Sequence, residues 1–190
     1  MNMSLTINED EDMETISYRE HIREVEDFPK EGIKFYDIAP LLGNGAIFAS
    51  AIAEMAEPLR GNVDKVVGFD ARGFVFGAAV AHQLGVGFAM LRKPGKLPGE
   101  VAHVEYGLEY GTNALELQAD GVSEGERVAL VDDVIATGGT AQAGIELVRG
   151  QGAEIVEFTA LIDLPHLGGS EAIKALGVPV RPLVTTRQAE

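Results

Sequence analysis

The sequence contains no cysteine and few basic side chains, and each shortage excludes classes of function. Without cysteine, disulfide bonds, thiolate catalysis and cysteine metal sites are impossible. Fifteen lysine and arginine residues stand against 30 aspartate and glutamate residues, which gives a net charge of −15. Because non-specific nucleic-acid affinity comes mostly from cationic contacts to phosphates, we expect neither a nucleic-acid partner nor binding to an anionic membrane.

Long apolar runs are also missing. The chain has no stretch of 18 apolar residues and no apolar segment at its N-terminus. These absences predict a cytoplasmic protein without a transmembrane helix. Lysine is scarce, with six residues, and the excess of carboxylates is compatible with a salt-rich cytoplasm in which salt screens their repulsion. The composition leaves the organism and the salt optimum open.

The apolar pattern predicts an α/β fold in a single domain over residues 1–190. Short apolar runs predict about five buried strands, near residues 65–69, 86–91, 128–131, 155–162 and 180–184. Helical spacing between these runs predicts crossover helices. The strands should therefore form a central parallel sheet that is flanked by helices.

Three further segments lie outside this alternating pattern. The acidic residues 1–15 should be disordered. Ser17 followed by Glu20 is a capping-box pattern and predicts a helix over residues 17–25. Residues 92–111 are rich in glycine and proline, and long loops within compact domains are usually functional, so we expect a mobile lid here.

The most informative segment is VDDVIATGGT, at residues 131–140. An apolar strand is expected to end in two carboxylates, Asp132 and Asp133, and a small-residue loop leads into a predicted helix. Ligands of open α/β sheets bind outside the carboxyl ends of the strands. Paired carboxylates can accept hydrogen bonds from the vicinal hydroxyls of a ribose, and glycines at a helix N-terminus favour a phosphate. The segment therefore predicts a ribose 5-phosphate pocket, and the alternative is a buried strand that ends in a solvated turn.

Two other segments combine basic side chains with turns. Residues 70–73 repeat the order of strand end, acid and glycine loop, and Arg72 offers a planar set of donors to a pyrophosphate. Residues 92–99 place three cations among prolines and glycines, which a positive lid over a pyrophosphate would explain. On these residues alone, the alternatives are a surface arginine at Arg72 and a solvated loop at residues 92–99.

The predicted lid also contains a carboxylate and a phenol, Glu109 and Tyr110. Closure of the lid would remove water from Glu109 and raise its pKa, which suits the exchange of a proton with a heteroaromatic nitrogen. An exposed loop glutamate is the alternative. Near the N-terminus, Phe35 can stack on a planar base or belong to the core. A P-loop and a dinucleotide fingerprint are both absent from the sequence.

Five segments in this order resemble the adenine phosphoribosyltransferases, which are type I phosphoribosyltransferases. The segments are DFPKEGIKFYDI, GFDARGF, RKPGKLPG, YGLEYG and VDDVIATGGT, and they span residues 27–140. The resemblance implies a reaction of adenine with phosphoribosyl pyrophosphate that gives AMP and pyrophosphate. It also implies Mg²⁺ held mainly by the donor without a direct protein ligand, a homodimer, and an N-terminal hood over the base at residues 27–38.

The resemblance assigns a role to each matching residue. The ribose and its 5′-phosphate would be bound by Asp132, Asp133, Ala136, Thr137, Gly138, Gly139 and Thr140. The pyrophosphate would be bound by Asp70, Ala71, Arg72, Arg92 and Lys96, with a non-proline cis peptide at Asp70–Ala71. Adenine would be bound by Ile33, Lys34, Phe35 and Tyr36. The catalytic residues would be Glu109, Tyr110, Arg72 and Lys96.

Two alternatives to this function remain at the level of sequence. One is a phosphoribosyltransferase for hypoxanthine, guanine or xanthine, because the segment that reads the base is the least constrained. The other is a non-catalytic regulator that keeps the fold and binds phosphoribosyl pyrophosphate. The rate-limiting step, inhibition by AMP and any role of residues 181–190 stay open.

Overall fold

A computed structural model describes residues 17–107 and 112–186 of the chain. The chain divides into two compact units, residues 1–47 and 48–190. The acidic segment 1–15 lies outside the described residues, so its predicted disorder stays a prediction, as does the single domain over residues 1–190. In the described part of the chain, no helix combines the length and the apolar character that a membrane crossing requires.

The first unit contains a small antiparallel ladder. A 3-10 turn, Tyr18–His21, precedes strand β1 (Arg23–Val25), which pairs with strand β2 (Phe35–Asp37) and is followed by helix α1 (Ala39–Gly43). The helix predicted over residues 17–25 is therefore wrong. Ser17 makes no side-chain capping hydrogen bond. The local capping signal is overridden because β1 satisfies its backbone groups by pairing with β2.

A five-stranded parallel sheet forms the centre of the second unit, which confirms the predicted fold class. The strands are β3 (Lys65–Phe69), β4 (Gly87–Leu91), β7 (Arg127–Ile135), β8 (Glu154–Asp163) and β9 (Val180–Thr185). Their order across the sheet is β4-β3-β7-β8-β9. The helices are α2 (Gly45–Ala56), α3 (Gly73–Leu84), α4 (Gly139–Gly150) and α5 (Gly169–Ala175). Two further 3-10 turns are Glu57–Leu59 and Pro165–Leu167.

A hairpin occupies part of the segment for which a loop was predicted. Strand β5 (Val101–Gly107) pairs with strand β6 (Thr112–Gln118) in an antiparallel ladder. Ala102, Val104 and Tyr106 pack against the core, whereas the intervening His103 and Glu105 are exposed. Alternation of this kind stabilises a strand that is buried on one face. The prediction of one loop over residues 92–111 is thus wrong for 101–107.

Helix α4 lies unusually close to the sheet. A Cβ atom added to Gly144 would be 2.6 Å from the ring of Phe69 and 2.9 Å from Leu91. Phe69 is itself fully buried and packs on Phe158, with ring centroids 5.6 Å apart. This close approach fixes the height of α4 over the sheet and brings the N-terminus of the helix, at Gly139, to the carboxyl end of β7.

Candidate active site

The strand order has one switch point, between β3 and β7. From β3 the chain moves outward to β4 on one side, and it later returns to build β7, β8 and β9 on the other side. Helices that follow β3 and β7 therefore leave the sheet in different directions, and a crevice opens between the carboxyl ends of the two strands. Ligands of open α/β folds bind in crevices of this kind.

A cavity of about 380 Å³ lies at this switch point. It joins two segments that were predicted separately, the turn after β3 and the loop after β7. Its lining includes Asp70, Ala71, Arg72, Asp132, Asp133, Ala136, Thr137, Gly138, Gly139 and Thr140. The ten residues that the sequence assigned to ribose, 5′-phosphate and the first turn of the pyrophosphate site are thus brought together around one space.

The two carboxylates lie within strand β7 rather than after it. Asp132 pairs with Ala160 of β8, and the ladder continues through Val134 to Ile135. The prediction that the strand ends at these acids is therefore wrong. The sequence signal was misleading because carboxylates usually interrupt a buried run, whereas here β8 continues alongside and satisfies the backbone. The loop begins only at Ala136.

The carboxylates are held against the backbone at the mouth of the crevice. Asp133 is buried, with 5% of its surface exposed. The Asp132 Oδ1 atom accepts a hydrogen bond of 2.9 Å from the backbone N–H of Asp133. A Cβ atom on Gly73 would lie 2.6 Å from Asp132 Oδ1, so only glycine leaves room for this carboxylate at the start of α3.

Burial disturbs the ionisation of both acids. Loss of solvent raises the pKa of Asp132 well above its usual range, and the neighbouring charge of Asp133 raises it further. Loss of solvent also raises the pKa of Asp133, but the guanidinium of Arg72 opposes this increase. Perturbed acids in a cleft are typical of functional sites. The pair carries more negative charge than its surroundings stabilise, so it favours ligands that donate hydrogen bonds.

Arg72 connects the two sides of the cavity. Its Nη2 atom lies 2.9 Å from Asp133 Oδ2, and 40% of its side chain remains exposed. The residue sits between the cis peptide at Asp70–Ala71 and the start of α3 at Gly73. The predicted cis peptide is therefore present. Arg72 can contact an anion in the cavity while it keeps the carboxylate of Asp133 paired.

The loop after β7 presents backbone N–H groups at a helix start. Gly138 has a φ of +84°, which L side chains rarely adopt, and it precedes the first residue of α4, Gly139. The Gly138 carbonyl accepts the hydrogen bond of the Gln142 N–H at 2.9 Å and so already points along the helix. The free N–H groups of the first turn, with the positive end of the helix dipole, therefore face the cavity as an anion site.

The basic segment after β4 is anchored at the edge of this site. Arg92 Nε donates a hydrogen bond of 3.0 Å to Asp70 Oδ2, and Arg92 Nη1 donates one of 3.1 Å to the Lys96 carbonyl. The buried carboxylate of Glu116 accepts the Gly95 N–H at 2.9 Å. Lys96 itself is exposed. Among the described residues, neither Arg92 nor Lys96 lines the cavity; the structure brings Arg92 to its rim through Asp70.

The predicted lid can be followed only to its base. Glu109 and Tyr110 lie outside the described residues, so their predicted roles stay predictions. Tyr106, at the end of β5, is described: its hydroxyl lies 3.0 Å from the Thr140 hydroxyl, and its ring lies against Gly139. The hairpin that flanks the predicted lid residues is thus joined to the loop 136–140, a contact that the sequence did not predict.

The candidate base-binding residues belong to the first unit. The ring of Phe35 packs edge-to-face on Phe28, with centroids 5.1 Å apart. Lys34 Nζ forms ion pairs with Glu24 at 2.9 Å and Glu26 at 3.1 Å. Ile33 is exposed, and the guanidinium of Arg19 lies 5.9 Å from the ring centroid of Tyr36. An aromatic pair that leaves Phe28 exposed and Phe35 half-buried suits stacking on a planar base, and the assignment of these four residues to adenine stays a prediction.

The sequence was compared with known protein families, and one family matches the part of the chain that forms this cavity. The family described as "Phosphoribosyl transferase domain" matches residues 38–179, about three quarters of the chain. The chain belongs to the phosphoribosyltransferase family. The matched range begins in the first unit and contains β3, β7 and the whole of the cavity described above.

Similar proteins narrow the family to one branch. An adenine phosphoribosyltransferase from Brucella suis is 49% identical over 170 residues, which cover 89% of this chain and 94% of the relative. A crystal structure of adenine phosphoribosyltransferase from Thermoanaerobacter pseudethanolicus matches with a TM-score of 0.84 and 45% identity, over 89% of this chain and 98% of that one. The predicted membership of the adenine phosphoribosyltransferases is confirmed.

A third similar protein carries ligands. The Saccharomyces cerevisiae adenine phosphoribosyltransferase, complexed with adenine and an imino-altritol bisphosphate, matches with a TM-score of 0.82 and 37% identity. The match covers 88% of this phosphoribosyltransferase and 96% of the yeast chain. The fold that surrounds the cavity is therefore shared with an enzyme that binds a planar base together with a phosphorylated sugar analogue.

Proposed function

We propose that the chain transfers the 5-phosphoribosyl group from phosphoribosyl pyrophosphate to adenine, giving AMP and pyrophosphate. The observation that carries this proposal is one cavity in which the loop 136–140, the carboxylates Asp132 and Asp133, and the guanidinium of Arg72 meet. These three groups match, in order, the 5′-phosphate, the ribose hydroxyls and the pyrophosphate of a single donor molecule.

The 5′-phosphate and the ribose are held by opposite types of hydrogen-bonding group. The first turn of α4 offers backbone N–H donors to the phosphate, and Thr140 adds a hydroxyl. Asp132 and Asp133 offer acceptors to the 2′ and 3′ hydroxyls of the ribose. Since both carboxylates have raised pKa values in the absence of ligand, two donated hydrogen bonds would stabilise their charged forms. The sugar is thereby oriented with C1′ toward the switch point.

The reaction breaks the bond from C1′ to the pyrophosphate oxygen and forms a bond from C1′ to a ring nitrogen of adenine. Positive charge develops on the ribose ring as the leaving group departs, and the nearby carboxylates stabilise it. Arg72 donates hydrogen bonds to the pyrophosphate, and Arg92 holds Asp70, the first residue of the turn that faces it. Lys96 would reach the same anion when the basic segment closes over the site.

Magnesium fits this site as a partner of the donor. The described residues contain no cluster of three acidic or histidine side chains that could hold a metal ion by themselves. Magnesium commonly binds through one or two carboxylates together with substrate phosphates. Bound mainly to the donor, it would neutralise charge on the leaving pyrophosphate.

The base would be bound by residues 33–36, and two residues of the predicted lid would act in catalysis. Phe35 would stack on adenine, and the backbone of residues 33–36 would read its amino edge. Glu109, with Tyr110, would lie over the reacting centre and exchange a proton with adenine. We also propose that the protein forms a homodimer, as the family implies, and that it is located in the cytoplasm, as the composition predicts.

Replacing Glu109 by glutamine should leave the binding of phosphoribosyl pyrophosphate unchanged and lower kcat about a hundredfold, the lower end of what a positioned acid or base contributes. Equilibrium binding of the donor and steady-state turnover measure the two quantities separately. Glu105→Gln is a matched control, because Glu105 is an exposed residue of the same hairpin. Unchanged turnover in Glu109→Gln would remove this residue from the mechanism.

The function itself is tested by pyrophosphate release with adenine, hypoxanthine, guanine and xanthine, each at low and high potassium chloride. Of the four bases, we expect only adenine to give fast pyrophosphate release. A site whose polar groups pair with one base discriminates strongly against bases that leave those groups unpaired. Release with another purine would support the alternative specificity. Donor binding without release for any base would support the non-catalytic alternative.

A further inference from the structure

The segment after strand β8 contacts the backbone of the loop 136–140. Strand β8 ends at Asp163, and the chain then passes through the 3-10 turn Pro165–Leu167 to Gly169, the first residue of α5. The Gly169 N–H donates a hydrogen bond of 3.0 Å to the carbonyl of Ala136. At the start of the same segment, the Leu164 N–H donates a hydrogen bond of 3.0 Å to the carbonyl of Ile135, the residue before Ala136.

The two backbones are in direct contact, with no room for a side chain on either. A Cβ atom on Gly169 would lie 2.3 Å from the Ala136 oxygen and 2.8 Å from the Gly138 nitrogen. In the other direction, a Cβ atom on Gly138 would lie 2.9 Å from the Gly169 Cα. These neighbours are backbone atoms, so a rotamer change cannot relieve the overlap, and any added side chain must move the loop or the turn.

Peptide geometry converts this contact into an orientation of the anion site. In a planar trans peptide the carbonyl and the next N–H point in opposite directions. Among the described residues, the cis peptides are Phe28–Pro29 and Asp70–Ala71, so the bond after Ala136 is trans. Because the Ala136 carbonyl points at Gly169, the Thr137 N–H points away from Gly169. Both Ala136 and Thr137 line the cavity.

We propose that Gly169 is a positioning residue for the 5′-phosphate of the donor. It does not contact the ligand but fixes the Ala136 carbonyl, and through it the direction of the Thr137 N–H. This inference rests on the proposed function, because it assumes that the loop 136–140 binds a phosphate. The sequence offers a signal for it, since an acid near the end of a buried strand is followed by a glycine pair both after β7 (Gly138 and Gly139) and after β8 (Gly168 and Gly169).

Gly169→Ala tests the proposal, with Gly150→Ala as a matched control. Gly150 is the last residue of α4, the helix that follows the loop 136–140, and an added Cβ atom there would meet nothing within 4 Å. We expect Gly169→Ala to raise KM for phosphoribosyl pyrophosphate and Kd for ribose 5-phosphate about tenfold to a hundredfold, as a displacement of about 1 Å in a positioning group can. KM for adenine and Kd for pyrophosphate should stay within about twofold, and Gly150→Ala should change none of these constants.

The outcomes separate this inference from the function on which it depends. Wild-type protein that fails to bind ribose 5-phosphate would contradict the proposed function. Wild-type binding with an unchanged Kd in Gly169→Ala, or with equal losses for pyrophosphate, adenine and ribose 5-phosphate, would overturn the role of Gly169 alone. Should Gly169→Ala not fold, amide hydrogen exchange of the wild type decides. Ribose 5-phosphate should slow exchange at Gly169 and not at Gly150, and equal rates with and without ligand would refute the proposal.

Discussion

Asp132→Asn should stabilise the ligand-free protein and at the same time remove most of its activity. The carboxylate of Asp132 is held close to Asp133 and to the backbone of Gly73, and burial raises its pKa well above the usual range. Ionisation of the acid in this position therefore costs folding free energy. Asparagine has nearly the same shape and carries no charge, so it removes that cost.

The pH dependence of this effect has a definite sign. A carboxyl group with a raised pKa binds its proton more tightly in the folded state than in the unfolded state, where the pKa is about 3.9. The folded protein therefore loses stability as the pH rises from about 4 through the raised pKa of Asp132, and the loss is constant above it. The gain in unfolding free energy from Asp132→Asn should be near zero at about pH 4 and larger at neutral pH, because it grows as the pH rises toward the raised pKa.

Urea unfolding of wild type and variant at both pH values measures this gain. Asp133→Asn is the matched control, because it makes the same chemical change one residue away. Asp133 is paired with Arg72 at 2.9 Å, and an amide would lose that ion pair. We therefore expect no comparable stabilisation from Asp133→Asn. Equal stabilisation by both variants, or a gain from Asp132→Asn that is the same at both pH values, would contradict this explanation.

The activity of Asp132→Asn should fall roughly a thousandfold in kcat/KM for phosphoribosyl pyrophosphate. A hydrogen bond to a charged group contributes about 1.5–3 kcal/mol, and the loss of the charge weakens the bonds from the ribose hydroxyls. The carboxylate also stabilises positive charge on the ribose ring, which an amide does not. Steady-state kinetics with varied donor at saturating adenine measures the change, and wild-type kinetics in this variant would exclude Asp132 from the sugar site.

Arg72→Ala should lower kcat/KM by about a hundredfold to a thousandfold, the range found when a single charge-stabilising donor is removed. Arg72 has two functions in the site: it faces the cavity, and it pairs with Asp133. Its loss should weaken the binding of pyrophosphate and leave Asp133 buried beside Asp132 without an opposing positive charge. The pKa of Asp133 should then rise further, because the charge of Arg72 is the largest of the effects that lower it.

Two comparisons make the test of Arg72 specific. Arg72→Lys should recover only part of the activity, since an ammonium group lacks the planar pair of donors that fits a carboxylate or a phosphate. Arg60→Ala removes an arginine that is half exposed and pairs with Glu57, so it should have no effect on turnover. Full activity of Arg72→Ala, or equal losses from Arg60→Ala, would contradict the role of Arg72 at the pyrophosphate site.

Much of the fold was predictable from local sequence pattern. Buried parallel strands such as β3 and β4 read as mainly apolar runs, and these runs were placed within a few residues of their observed bounds. The predictions that failed were those in which a partner strand supplies the decisive stabilisation. Ser17 begins a capping pattern that predicts a helix, but Arg23–Val25 pairs with β2 instead. Val101–Gly107 follows a segment rich in turn-forming residues, but it pairs with β6.

The site was predictable where one short segment contains a complete chemical function. The loop 136–140 and the turn 70–73 each combine a strand end, a polar group and glycine, and they meet in one cavity. The contacts of Tyr106 and Gly169 with the loop 136–140 were not predicted, because each joins residues about 30 positions apart in the sequence. Tyr106 makes its contact through a pair of hydroxyl groups, and Gly169 through a backbone hydrogen bond. In neither pair are both residues of an unusual type, so residue type alone does not indicate that the two residues meet.

A crystal structure of the protein with AMP tests the central claim most directly. The 5′-phosphate should lie on the backbone N–H groups of residues 136–140, and the two ribose hydroxyls should donate to Asp132 and Asp133. Arg72 should border the space that the pyrophosphate of the donor would occupy. Nucleotide bound elsewhere on the chain, with the cavity between β3 and β7 free of it, would contradict the assignment of this cavity as the donor site.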